Sequence, residues 1–180
     1  WREGDVPAMT MLPANKGALQ VPFLATGGIA DGRSMAAALA LGADGVNVGT
    51  RFMLTRESAI HDGIKQALLK ASERDTALLK RTLKRSARYF ANDVAREVLA
   101  LEHRPGGASY EDLADLLSGR RNRMALETGE VDAGLICASQ VIGLVEDIPD
   151  CAELVSRMVA ECRASLQTVL GAFHAETCHV

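Results

Sequence analysis

Two glycine turns contain the residues of this sequence whose type and spacing best suit a binding site. The apolar run 21–26 ends at Gly27 and Gly28, and a second apolar run that starts at residue 45 ends at Gly49 and Thr50. Glycine lets the backbone approach a ligand closely, so that several N–H groups can be presented to one anion. The two turns together therefore predict a phosphate site. The alternative is that both glycine turns only shape the chain.

The elements around the turns predict how they are positioned. Residues 21–26 have the length and composition of a fully buried strand, and residues 45–52 read as another. Between them, Asp31 or Ser34 can cap an alanine-rich helix that ends at Gly42. Strand, turn, helix and strand form a βαβ unit, whose strands are parallel and whose crossover is right-handed. The predicted fold class is α/β, as part of a sheet or barrel, with both turns at carboxyl strand ends.

The rest of the chain reads mainly as helical. Residues 6–19 predict a loop and a short helix opened by Leu12 and Pro13, whereas residues 78–93 are ambiguous between strand and helix. Helices are predicted for residues 58–78, 93–104, 110–119 and 133–148. Residues 151–174 carry a sustained apolar stripe, which predicts a long helix packed against a large partner surface.

Composition excludes several classes of partner. The net charge of −3 and the pI of about 5.8 give no basic footprint for nucleic acid. No run approaches a membrane span, and the first residues have no apolar signal core, so we expect a cytoplasmic protein. The four cysteines are too far apart for a metal or redox motif, so no metal site is predicted. They are Cys137, Cys151, Cys162 and Cys178.

A longer stretch carries a specific resemblance. The sequence ATGGIADGRSMAAALALGADGVNVGTRFM, residues 25–53, resembles the last two barrel units of the nitronate monooxygenase (2-nitropropane dioxygenase) family. The resemblance continues through ESAIHDGIKQALL, ERDTALLKRTLKRSAR, LETGEVDAGLICASQVIGLVEDIPDCAEL and the closing helix. It implies the C-terminal half of a (β/α)8 barrel with a smaller inserted α/β domain. Residues 1–63 would be barrel, 64–152 the inserted domain, and 153–180 the returning barrel helix and tail.

The resemblance also implies a cofactor. Members of the family hold FMN noncovalently, with its phosphate on the backbone of the two glycine turns. In this sequence the matching residues are Gly27, Gly28, Asn47, Val48, Gly49 and Thr50. Thr50 could add its hydroxyl to the phosphate or could bond its own loop instead. Arg51 could clamp the phosphate, although strand alternation could also point it away.

No catalytic residue is predicted within the chain. The family base is a histidine in a Gly-Gly-His stretch, and by the resemblance it would fall just before Trp1. None of the four histidines matches it; they are His61, His103, His174 and His179. The implied function is an FMN-dependent oxidation of alkyl nitronates or nitroalkanes with oxygen, in a possible homo-oligomer. The alternatives are an FMN-dependent enoyl-carrier-protein reductase and a noncatalytic fragment that lacks the catalytic half.

Three further features have both a functional and a structural interpretation. The cationic residues 80–89 read more readily as a solvated face than as an anion site. Residues 119–123, GRRNR, could face an anionic substrate tail such as coenzyme A or could simply be solvated. Ser139 and a buried Gln140 could support the flavin or a nearby loop.

Overall fold

A computed structural model describes residues 6–176, and these residues divide into two compact units. The first unit comprises residues 6–49 and 149–176, and the second comprises residues 50–148. His179 and Cys178 lie outside the described residues. The assignment of residues 64–152 to a domain inserted in a barrel stays a prediction, because a division into two compact units does not show that either of them is part of a barrel.

The first unit contains a parallel βαβ arrangement. Its elements are α1 (Ala8–Ala18), β1 (Leu24–Thr26), α2 (Gly32–Ala40), β2 (Gly45–Asn47) and α8 (Cys151–Glu176). The strands β1 and β2 pair in parallel, with Leu24 opposite Gly45 and Thr26 opposite Asn47. At the entry to the pair, Asp44 accepts a hydrogen bond from the Phe23 N–H (3.0 Å) and its own N–H donates to the Phe23 carbonyl (2.9 Å). These two bonds fix the register of the strands.

Full burial of the two strands was a wrong expectation. Each strand has three residues. Ala25 is buried, but Leu24 is 61% exposed and Asn47 is also exposed. Parallel strands become fully buried when helices cover both faces and further strands cover both edges. Within residues 6–176, β1 and β2 pair only with each other.

The helix α2 confirms the predicted start and stop signals. Asp31 accepts a hydrogen bond from the Ser34 N–H, and the Ser34 hydroxyl accepts one from the Asp31 N–H, which together form a capping box. Gly42 follows the helix with a φ of 100°, a value that favours glycine. The short helix predicted within residues 6–19 is confirmed as α1, but its predicted start at Leu12 and Pro13 was wrong, because the helix begins at Ala8 after Pro7 and carries Pro13 inside it.

The second unit combines a hairpin with short helices. Its elements are α3 (Thr50–Met53), α4 (Asp62–Leu69), β3 (Thr76–Leu79), β4 (Ala87–Phe90), α5 (Asp93–Glu102), α6 (Tyr110–Leu113), α7 (Gly119–Thr128) and a 3-10 helix (Gln140–Leu144). The strands β3 and β4 are antiparallel, with Leu79 opposite Ala87. One apolar core joins the hairpin to α5 and α6, and a second joins α4 to the 3-10 helix.

Buried carboxylate contacts resolve the ambiguous residues 78–93 as a hairpin. Glu102 on α5 accepts hydrogen bonds from the N–H groups of Lys80 (2.8 Å) and Thr82 (3.0 Å) and from the Thr82 hydroxyl (2.8 Å). Lys80 and Lys84 adopt left-handed φ values of 63° and 54° in the connecting turn. Glu102 therefore stabilises the β3–β4 turn from about twenty residues further along the chain. The residues of the turn alone do not predict it.

Three predicted element boundaries were wrong. The second strand was expected to reach residue 52, but α3 begins at Thr50. The helix expected over residues 58–78 ends at Leu69, and Thr76 begins β3. Residues 133–148 were expected to be helical, yet Cys137 forms a β-bridge with Tyr89 and only the 3-10 helix is regular. Short apolar runs signal burial but do not by themselves distinguish helix from extended chain.

Candidate cofactor site

The first glycine turn is open and adopts a backbone that favours glycine. Gly27 and Gly28 follow β1 directly and have φ values of 87° and 76°. A Cβ built on either residue would meet nothing within 4 Å, and both residues are exposed. The absence of side chains therefore leaves accessible space directly against the backbone, which is where an anion held by N–H groups must sit.

The second glycine turn follows β2 at the matching position. Asn47 is the register partner of Thr26, so Val48 and Gly49 leave β2 where Gly27 and Gly28 leave β1. Neighbouring strands lie about 4.8 Å apart, and the first residues of the two turns are consequently close. A Cβ on Gly49 would also meet nothing within 4 Å. The first unit thus has two adjacent exposed glycine turns, which fit a phosphate group.

The N-terminus of α2 already carries two carboxylates. Glu161 on α8 accepts a hydrogen bond from the Gly32 N–H (2.9 Å), and Asp31 accepts one from the Ser34 N–H (2.8 Å). Partial burial raises the pKa of Asp31, but hydrogen bonds from Ser34 and Arg33 outweigh this effect and hold the pKa below its ordinary value. A phosphate would meet negative charge at this helix end. The glycine turns are therefore the better anion site in the first unit.

The Thr50 hydroxyl lies within hydrogen-bond distance of Ser139. The Ser139 N–H donates to Thr50 Oγ1 at 3.0 Å, and the two side-chain oxygens are 3.1 Å apart. This contact agrees with the expectation that Ser139 supports a nearby loop. The prediction that Gln140 is buried was wrong, since its side chain lies on the exposed side of the 3-10 helix.

Arg51 is buried and bound to the end of the second unit. Its guanidinium pairs with the Asp147 carboxylate (2.5 Å) and donates to the carbonyl groups of Leu54 and Asp147 (both 3.2 Å). Only 3% of the residue is exposed. These bonds favour the alternative in which Arg51 does not clamp the phosphate itself.

His61 and His103 both lie at helix ends. His61 Nδ1 accepts a hydrogen bond from the Gly63 N–H (3.0 Å) at the start of α4, and the exposed His103 ends α5. The cationic residues 119–123 belong to α7, where Arg121 pairs with Asp115 and donates to the Ala133 carbonyl. Arg121 thereby ties this stretch to its own unit.

The described residues contain neither a metal-binding cluster nor a membrane-spanning helix. Among residues 6–176, no group of three or more His, Cys, Asp or Glu side chains could hold a metal ion, and no helix has the length and hydropathy of a membrane span. A cavity of about 370 Å³ opens on the second unit. Its lining residues are Arg56, Asp62, Lys65, Gln66 and Ile148, and none of the predicted cofactor residues is among them.

The fold and these turns define an α/β protein whose parallel strands end in two exposed glycine turns. Residues 2–161 match the nitronate monooxygenase family, and the chain belongs to that family. It is 30% identical to (3aS,4S,5R,7aS)-5-hydroxy-7a-methyl-1-oxo-octahydro-1H-indene-4-carboxyl-CoA dehydrogenase of Rhodococcus jostii, over 96% of this chain and 58% of that protein. It is 35% identical to a nitronate monooxygenase of Paraburkholderia phytofirmans, over 89% of this chain and 42% of that protein.

Two solved structures resemble the chain closely. FabK from Thermotoga maritima superposes with a TM-score of 0.86 at 31% identity, over 94% of this chain and 53% of that one. Nitroalkane oxidase from Streptomyces ansochromogenes superposes with a TM-score of 0.72 at 27% identity, over 91% of this chain and 45% of that one. The chain thus spans roughly half the length of each of these four proteins. Three of the four are oxidoreductases by name.

Proposed function

We propose that this chain is the C-terminal part of a (β/α)8 oxidoreductase and that its two glycine turns hold the phosphate of FMN. The observation that carries the proposal is the Thr26–Asn47 register, from which two open glycine turns leave the parallel pair side by side. Membership of the nitronate monooxygenase family supports it. Residues 64–152 would then be the smaller domain inserted in the barrel.

The backbone would supply most of the binding. The residues proposed to hold the phosphate are Gly27, Gly28, Asn47, Val48, Gly49 and Thr50. Backbone N–H groups suit this task because they are fixed by the strands and need no reorganisation when the anion arrives. When bound, FMN supplies the exchange of electrons with the substrate; the turns anchor one end of it and so orient the rest.

The proposed reaction is the oxidation of an alkyl nitronate or nitroalkane with oxygen. Its support is the family itself, together with relatives named nitronate monooxygenase and nitroalkane oxidase. The base that would remove a proton from the carbon beside a nitro group belongs, in this proposal, to a part of the complete protein before Trp1. His61 and His103 are not candidates, since one caps α4 and the other ends α5.

A second candidate is a reduction or oxidation beside a thioester. The observation that favours it is the relative named as a carboxyl-CoA dehydrogenase, which aligns with 96% of this chain. The similarity to FabK supports the same candidate, because the family that this sequence resembles also includes FMN-dependent enoyl-carrier-protein reductases. Both candidates would use the same phosphate site, so the site alone does not separate them.

Anaerobic reduction of the purified complete protein separates the two reactions. We expect the flavin absorbance to bleach when an alkyl nitronate is added and to recover when oxygen is admitted. A parallel anaerobic sample receives NADH instead of the nitronate. Bleaching by NADH alone, with recovery on addition of an enoyl thioester, would replace the monooxygenase proposal with the reductase.

A noncatalytic fragment is the remaining alternative, and the coding sequence before Trp1 tests it. An in-frame stretch that ends in Gly-Gly-His supports the enzyme, whereas a start codon at that point supports a chain without a catalytic half.

A further inference from the structure

We propose that the cavity of about 370 Å³ within residues 50–148 binds a small organic carboxylate. Its lining combines two cationic side chains, one amide, one carboxylate and one apolar side chain; these belong to Arg56, Lys65, Gln66, Asp62 and Ile148. All five residues lie in the same compact unit. The proposal does not depend on the proposed FMN site, and none of its probes contains a flavin.

The ammonium group of Lys65 is buried but only loosely bonded. Lys65 is 3% exposed. Its Nζ donates to the Arg56 carbonyl at 3.4 Å and lies 3.5 Å from Asp62 Oδ1. An ammonium group has three N–H donors, and its hydrogen bonds to carboxylates are usually about 2.7–2.9 Å long. These two long contacts leave capacity for a stronger acceptor, which a buried charge needs.

Arg56 and Gln66 add further donors around the same cavity. Both residues are exposed, and neither side chain is engaged by another described residue. The guanidinium group of Arg56 can present two parallel N–H donors to the two oxygens of a carboxylate. The Gln66 amide contributes an NH2 group. The cavity thus offers three kinds of donor to one anion.

Buried neighbours fix the backbone that carries these donors. Arg56 directly follows Thr55, which is buried. Lys65 and Gln66 lie on α4 directly after Ile64, which is fully buried in the core that joins α4 to the 3-10 helix. A ligand therefore meets donors whose main chain is already ordered, which lowers the entropic cost of binding.

Charge and size favour an organic carboxylate over phosphate. Two cations and one carboxylate leave one surplus positive charge in the lining, which a singly charged carboxylate neutralises. A phosphate group carries a charge of about −1.5 to −2 at neutral pH and would stay partly unpaired. The cavity falls in the range of small-molecule sites, about 300–1,000 Å³, so a short hydrocarbon chain fits beside Ile148.

Calorimetric titration of the complete protein tests the proposal with four probes. Butyrate carries the proposed head group, and butyramide replaces its charge with a neutral amide. Inorganic phosphate presents the other anion, and butylammonium reverses the sign of the charge. At low ionic strength, where exposed charges are least screened, we expect butyrate to bind at least about tenfold more tightly than each of the others.

Two variants locate the butyrate site. Lys65→Met keeps a flexible side chain and removes the charge, and it strands no buried anion because the Asp62 side chain is 87% exposed. Arg56→Gln removes the second cation at an exposed position. We expect butyrate binding to weaken about tenfold in Lys65→Met and about threefold in Arg56→Gln. Lys70→Met, at the exposed residue after α4, is the matched control and should leave butyrate affinity unchanged.

The proposal has clear contrary outcomes. Butyrate that binds no better than butyramide would overturn it, and so would tighter binding of phosphate or butylammonium. Equal butyrate affinity in the wild type, Lys65→Met and Arg56→Gln would also overturn it, because the anion would then bind elsewhere. If Lys65→Met does not fold, Arg56→Gln decides the question against the Lys70→Met control.

Discussion

The Glu161 carboxylate on α8 accepts a hydrogen bond from the backbone N–H of Gly32, the first residue of α2, at 2.9 Å. The two residues are 129 positions apart in the chain. A Cβ on Gly32 would lie 2.4 Å from both Glu161 Cβ and the Met158 carbonyl oxygen. Gly32 therefore allows α2 and α8 to meet closely enough for a carboxylate of one helix to cap the other.

This contact predicts that Gly32→Ala destabilises the protein. Intrinsic helix propensity alone would favour alanine by about 1 kcal/mol. The new methyl group, however, would overlap backbone atoms of α8, which cannot move aside as a flexible side chain can. We expect a net loss of about 1–3 kcal/mol in the free energy of unfolding, measured by urea denaturation.

Gly171→Ala is the matched control for this substitution. Gly171 is an exposed residue of α8, and a Cβ there would meet nothing within 4 Å. Propensity then acts alone and should leave stability unchanged or raise it by up to about 1 kcal/mol. Equal effects of the two substitutions would show that the helices do not meet at Gly32.

Local patterns in the sequence predicted the elements that local interactions define. The cap at Asp31, the stop at Gly42 and the long α8 follow from neighbouring residues, and each is confirmed. The parallel pairing of β1 with β2 followed from the short connection through one helix, and it is also confirmed.

Contacts between distant residues explain most of what the sequence did not predict. Glu161 carries no local sign that it caps α2. Residues 133–148 looked helical because they are apolar, but the Ile136 carbonyl accepts a hydrogen bond from the Phe90 N–H (2.8 Å) and holds part of the segment extended. Likewise, nothing near Thr50 or Arg51 signals their bonds to Ser139 and Asp147.

The buried Glu102 carboxylate should be essential to the β3–β4 turn. Glu102→Gln keeps one acceptor oxygen but points an NH2 group toward donors that need an acceptor. We expect the free energy of unfolding to fall by about 1–3 kcal/mol, which is the typical cost of leaving a buried donor unpaired. The exposed Glu97→Gln on the same helix should change stability little. A small, equal effect of both changes would argue against the carboxylate as the anchor of the turn.

Asp112 should contribute stability that disappears in acid. Its hydrogen bond from Arg104, together with those from Ser109, lowers its pKa from the ordinary 3.8 to about 2. Because the pKa is lower in the folded state, the stabilisation is present above about pH 4 and is lost as the pH falls toward 2. Asp112→Asn should lower the melting temperature at pH 6 and converge with the wild type by pH 2. A difference in melting temperature between Asp112→Asn and the wild type that stays constant from pH 6 to pH 2 would contradict this prediction.

The exposed Glu127→Gln on α7 serves as the reference for the pH series. The difference between its melting temperature and that of the wild type should not change with pH. Convergence at low pH is then specific to Asp112.

The measurement that tests the central claim most directly is FMN binding by the complete protein with Gly49→Val. The site at Gly49 is open, and its φ is not in the region that favours glycine, so valine should fold without backbone strain and fill the space proposed for the phosphate. Gly119→Val, at another open glycine, is the control. We predict that Gly49→Val weakens FMN binding by at least about tenfold, while its melting temperature without FMN and the affinity of the control stay unchanged. Unaltered FMN affinity in a folded Gly49→Val protein would contradict the phosphate site.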